Sequence, residues 1–198
     1  MKPSIDKGGI KLGMWLFLYT EIMLFGGLFI LYAVYYSKFT ADFISGGKQL
    51  DTMLGISNTI ILLASSFAVA ASLTAIQRKS MKTAYALVTA TIGCAILFLI
   101  NKYFEWGHKF ELGIYPNSDK LLEGPIGENM FFGLYYVTTG LHGLHVVIGM
   151  TLLIATLGFM AKQKITSDHF SLLENSALYW HLVDLIWIFI FPLFYLIL

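Results

Sequence analysis

Five ionisable side chains fall inside long apolar runs of this 198-residue sequence: Glu21 in WLFLYTEIMLFGGLF, His142 and His145 in GLHGLH, and His181 and Asp184 in YWHLVDLIW. In such surroundings a charged group has to be neutralised, paired or hydrated. Glu21 reads either as a hydrogen-bonded acid at a helix–helix contact or as a carboxylate that carries or senses a proton. Gly26 and Gly27, a turn further on, would let a neighbouring helix approach. His181 and Asp184 lie three apart and share a helix face. They predict a hydrogen-bonded clamp or a proton relay, with an indole N–H of Trp180 or Trp187 in reach of the carboxylate. His142 and His145 also share a face. Two imidazoles so spaced predict interhelical hydrogen bonds or, with partners on another helix, ligands for a metal or a haem. Glu105, between Lys102 and Trp106 at the end of another apolar run, reads as an interfacial anchor whose depth would let it reach His142.

The elements that carry these groups must suit hydrocarbon. Hydrophobic residues make up 57% of the chain and charged residues 13%, and the mean hydropathy is +0.72. A soluble domain carries roughly a quarter charged residues. Crossing a bilayer takes about 20 helical residues. Five stretches qualify: about 11–36, 53–77, 82–104, 129–161 and 173–198. The fold class expected is therefore all-α, one transmembrane domain forming a bundle of five helices, with Glu21 near mid-bilayer. The connection from Asn101 to Glu128, with Pro116, Asn117 and Pro125, reads as a structured loop, and His108 and His169 as loop residues. Lys2, Lys7 and Lys11 resemble the basic start of a signal peptide, whose apolar core is about 7–15 residues. Here the apolar run continues to about Tyr36, so it reads as a retained span.

Basic residues set the orientation. Lys2, Lys7, Lys11, Arg78, Lys79, Lys82, Lys162 and Lys164 fall on one side; Lys38, Lys48, Lys102, Lys109 and Lys120 fall on the other. That predicts an inside N-terminus and an outside C-terminus. The net charge of +1 with no basic tract gives no sign of nucleic-acid binding, and Cys94, the one cysteine, permits neither an intrachain disulfide nor a cysteine-clustered metal site.

Three segments, in order, resemble the cytochrome oxidase subunit III family: GMWLFLYTEIMLFGGLF at 13–29, GLYYVTTGLHGLHVVIGM at 133–150 and ENSALYWHLVDLIWIFIF at 174–191. SNTIILLASS at 57–66 and the Glu105-Trp106 pair add to the likeness. The resemblance implies a five-to-seven-helix subunit docked beside the catalytic subunit I, with subunit II and other respiratory subunits in the same complex. It implies no haem, copper or other metal in this chain, those cofactors residing in partner subunits, and it implies association with phospholipid. By position it assigns Glu21 to the family's intramembrane glutamate, and His142, His145, Glu174, His181 and Asp184 to its other polar motif positions. The first span corresponds to the third of longer members. The family's lipid cleft would then need its second wall from elsewhere. A short, five-helix form of this kind suits a bacterial inner membrane.

The other core roles are excluded by residue type. A catalytic haem–copper subunit needs about six histidine ligands on many helices; this chain has five histidines. A dinuclear copper centre needs two cysteines. The readings that remain beside an oxidase subunit are an accessory protein of a nitric oxide reductase, a haem anchor using His142 or His145 with His181, and a small proton-coupled transporter using Glu21 and Asp184. A transporter should show inverted repeats and broken helices, and none is legible. The electron donor, cytochrome c or quinol, is read by other subunits.

Overall fold

A computed structural model describes residues 7–166 and 170–196. Its named elements are all helices: α1 (Lys7–Lys38), α2 (Thr40–Lys48), α3 (Thr52–Gln77), α4 (Met81–Glu111), α5 (Asp119–Leu122), α6 (Ile126–Ala161) and α7 (Ser171–Tyr195). Five of them, α1, α3, α4, α6 and α7, are long and apolar enough to cross a membrane. The chain is a multi-pass membrane protein.

Helix ends follow from local chemistry. Asp51 opens α3, its Oδ1 accepting from Met53 N at 2.9 Å and Leu54 N at 3.1 Å. Three helices close in one way, with a residue at positive φ and a 6→1 backbone bond. Lys79 (φ 59°) ends α3 with Ser80 N bonded to Ala75 O; Gly113 (φ 71°) ends α4 with Ile114 N bonded to Lys109 O; Gln163 (φ 54°) ends α6 with Lys164 N bonded to Phe159 O. The α4 helix continues to Glu111, so the first part of the connection expected as loop is helical and His108 sits in the last turn of α4. His169, also expected in a loop, lies outside the described residues.

The centre is built by α3, α4, α6 and α7, with α3 against α4 and α6 against α7 as the most extensive contacts. Trp180, Trp187, Tyr135, Phe98 and Leu62 are fully buried there. Gly149 of α6 makes the α6–α7 contact possible: a Cβ at that position would come within 2.8 Å of Trp180 and 3.2 Å of Tyr179. Gly133 and Gly143 of the same helix face open space, as do Gly26 and Gly27, which were expected to admit a neighbouring helix. No helix of this chain closes on them. The α1 helix leans on α6 and α7 and is the least buried of the five long helices. The short α2, between the first two spans, inserts Phe43 among Tyr32, Tyr36 and Phe131. Its Asp42 Oδ2 accepts from Gly127 N at the start of α6, at 3.2 Å, where an anion meets the positive end of the helix dipole.

Candidate functional site

Glu21 and His145 find each other. Glu21 Oε2 lies 2.8 Å from His145 Nε2, joining α1 to α6. The other ring nitrogen, Nδ1, is 2.7 Å from the carbonyl of Leu141. A carbonyl only accepts, so Nδ1 carries a hydrogen. The remaining proton is then shared between Nε2 and Oε2, and the couple has no net charge whether it is written as acid and imidazole or as carboxylate and imidazolium. Neutrality of the pair is what lets it sit at membrane depth. Phe25 closes one side of the ring at 5.3 Å between centroids. The Glu21 side chain keeps 14% of its surface open, so the couple lies at the flank of the bundle.

His181 and Asp184 share a face of α7 but not a bond. His181 Nδ1 is 2.6 Å from Ser66 Oγ on α3. The two indoles that were expected to serve the carboxylate bond elsewhere: Trp180 Nε1 to Ser65 Oγ at 2.9 Å, Trp187 Nε1 to Thr59 Oγ1 at 3.0 Å. Asp184 is 3% exposed; among the described residues neither of its carboxylate oxygens has a close hydrogen-bond partner, and the Ser66 hydroxyl that His181 engages is the side chain that acts on them.

His142 is completely buried, with its ring edge-on to Phe98 at 5.5 Å and tilted against Trp187 at 5.1 Å. Among the described residues, neither of its nitrogens has a hydrogen-bond partner. The Glu105 expected to reach it is engaged elsewhere, at the centre of a cluster that sequence reasoning missed. Lys102 Nζ donates to Glu105 Oε2 at 3.0 Å, Tyr195 OH at 2.8 Å and Tyr135 OH at 3.1 Å. Both tyrosine hydroxyls donate to Glu105 Oε1, at 2.8 and 2.7 Å. Lys102 also sits 5.4 Å from the ring centre of Trp187. Lys102 and Glu105 are buried, so the lysine read as a juxtamembrane charge is an interior one. The i,i+3 spacing of the two was the available signal. Lys109, also buried, donates to Gln49 O at 3.0 Å. Glu174, in the first turn of α7, lies 3.4 Å from Lys11 of α1 on the surface.

Among the described residues, no group of three or more His, Cys, Asp and Glu side chains is placed to hold a metal ion. Of the three histidines of a conceivable haem anchor, His145 and His181 bond to separate side chains on other helices, and the ring of His142 packs against Phe98 and Trp187. On the outer surface, a groove of about 580 Å³ runs between α3 and α4, with Phe67, Ala70, Ala71 and Leu87 along it and Arg78, Ser80 and Thr83 at its polar end.

These positions coincide with a family pattern. The pattern for cytochrome c oxidase subunit III matches residues 3–197. A cytochrome c oxidase subunit 3 of Synechocystis sp. is 34% identical over 188 residues, covering 93% of this chain and 74% of the relative. The subunit 3 of Mus musculus is 33% identical over 207 residues, 98% of this chain and 71% of the relative. A heme-copper oxidase subunit I+III of Aeropyrum pernix is 28% identical over 201 residues, 96% of this chain and 23% of that longer protein. The match runs through every helix that carries a buried ionisable group, and the chain belongs to the cytochrome c oxidase subunit III family.

Proposed function

We propose that this chain is the subunit III of a haem–copper terminal oxidase and contributes scaffolding rather than electron transfer. The observation that carries the reading is the way its membrane-depth histidines are used. His145 and His181 bond to side chains of other helices, and His142 is enclosed by aromatic rings. Such bonds pin the helices in one register, and among the described residues no group of side chains is placed to hold iron or copper. Membership of the subunit III family supports haem and copper residing in partner subunits. Direct contact with subunit I is supported by the Aeropyrum relative, whose name joins I and III in one protein. Subunit II and other respiratory chains complete the assembly, in a bacterial inner membrane.

The orientation proposed has the N-terminus inside. With Lys102 and Lys109 buried, Lys38, Lys48 and Lys120 remain as the surface lysines of the outer side, while the sequence assigns eight basic residues to the inner side. Phospholipid is the expected occupant of the α3–α4 groove, its tail along the apolar wall and its phosphate at Arg78, Ser80 and Thr83. Glu21, at the flank of the bundle and in a proton-sharing couple, is the residue through which this subunit acts on proton uptake.

Two measurements test the proposal. Purified alone, the chain shows no Soret absorption; purified through a tag on it, the membrane complex carries haem and copper at full content. Stoichiometric haem in the isolated chain overturns the assignment. In the complex, Glu21→Gln slows proton uptake at unchanged haem content. Unaltered proton kinetics reduce Glu21 to a packing residue.

A further inference from the structure

A polar group that a membrane-crossing helix turns towards lipid has to be satisfied within that helix. Three exposed hydroxyls on the spans of this chain are. Thr20 donates to Phe17 O at 2.7 Å, Thr89 to Tyr85 O at 2.9 Å and Thr151 to Val147 O at 2.8 Å. Each has spent its hydrogen inside its own helix, so α1, α4 and α6 can face hydrocarbon at these points.

His181 behaves differently. It is the eleventh of the 25 residues of α7, roughly 15 Å from the start of that helix and so about half-way across the hydrocarbon. Its ring is half-buried. Nδ1 is held by Ser66 Oγ of α3 at 2.6 Å. Nε2 bonds to none of the described residues and is not enclosed by them. With Nδ1 fixed on α3, the ring cannot turn Nε2 back to a carbonyl of α7. The nitrogen therefore opens on the rim of the seam between α3 and α7. That rim is otherwise apolar: Leu185 and Ile188 lie one and two turns along α7 and Leu63 one turn along α3, each more than two-fifths exposed.

A hydrogen-bonding nitrogen set against hydrocarbon is costly. Lipid tails cannot bond it, and headgroups lie at the two ends of the span. A side chain of another membrane-crossing helix can bond it at this depth. Among the described residues no acid bonds to the ring, so the imidazole is neutral there. It offers no counter-charge, and the fitting partner is uncharged as well: a hydroxyl or an amide.

We propose that the α3–α7 seam is a protein-facing surface, on which a transmembrane helix of subunit I sets a hydroxyl or amide against His181 Nε2. The inference rests on the subunit III reading, and the relative that joins I and III in one protein supports subunit I as the occupant.

Two experiments on the intact oxidase complex test it. Glutamine can place a polar atom where Nε2 stands, and asparagine one where Nδ1 stands. His181→Gln is expected to retain subunit I through a detergent wash, whereas His181→Asn, which keeps the Ser66 contact, loses it several-fold. The reverse order, or equal retention in the two, makes His181 an internal tie to α3 and overturns the proposal. In the second experiment a photoreactive benzoylphenylalanine replaces Leu185. Illumination is expected to join it to subunit I, identified by mass spectrometry, several-fold more than the same label replacing Ile154, one turn from Thr151. Adducts at the level of Ile154, or formed with lipid or a second copy of this chain instead, overturn the proposal. If neither histidine variant assembles, the label at Leu185 decides alone. Full haem content without a Leu185 adduct sinks this inference only; a tagged chain that retrieves no haem sinks the subunit III reading as well.

Discussion

Lys102 and Glu105 form a buried ion pair that two tyrosines complete, and the energetic weight of such a pair lies in its being complete. Lys102→Met leaves Glu105 charged and short of a donor, and should destabilise the chain by about 3–5 kcal/mol. Adding Glu105→Gln removes the stranded charge and should recover more than half of that loss. Unfolding in mixed micelles, run as a double-mutant cycle, measures both; a simple sum of the two single effects would contradict the coupling. Glu21 obeys a related rule with a different sign of outcome. Because Leu141 O fixes the hydrogen on Nδ1 of His145, Nε2 can accept from the amide of a Glu21→Gln variant, which should assemble normally. Glu21→Leu leaves Nε2 unsatisfied, at about 1–3 kcal/mol, and should lower the yield of assembled complex, read by quantitative gel of the membrane fraction.

Helix ends and helix contacts are set by single backbone positions. The αL residue that closes α6 is Gln163, where glycine adopts the same φ without its Cβ penalty. Gln163→Gly should stabilise the chain by up to about 1 kcal/mol, and Gly113→Ala at the matching end of α4 should destabilise it by a similar amount. Opposite signs at two equivalent positions are the diagnostic result. Between helices, Gly149 is the position where α6 and α7 come closest to ring carbons. Gly149→Val must push Trp180 away from Ser65 Oγ and should cost about 1–3 kcal/mol as an overpacked site. Indole emission reports that displacement independently of stability.

For the molecule as a whole, the four-helix centre and the lean of α1 leave a large apolar surface that only lipid or protein can cover. Residues such as Trp15, Phe67 and Tyr103 are more than half exposed within the isolated chain. The α3–α4 groove is the part of that surface with a polar end of defined chemistry. Arg78→Gln should lower the amount of anionic phospholipid that co-purifies with the complex, measured by mass spectrometry of the lipid extract. Lys79→Gln, outside the groove lining, should not.

Much of this architecture is written locally. The apolar lengths that fix five membrane-crossing helices are counted along one strand of sequence, because the bilayer sets the requirement and every backbone group must be satisfied within its own helix. The family likeness is local as well, carried by the segments around Glu21, His142 and His181. What the residues along the chain did not determine is who bonds to whom. His181 and Asp184 share a face, yet the histidine goes to Ser66 and no bond joins the two; Glu105 was within depth of His142, yet it belongs to Lys102 and two tyrosines. The spans are apolar almost all round, so periodicity does not mark their inner face. Only the rotation and register of packed helices, decided by contacts such as Trp180 against Gly149, brings particular donors within 3 Å of particular acceptors.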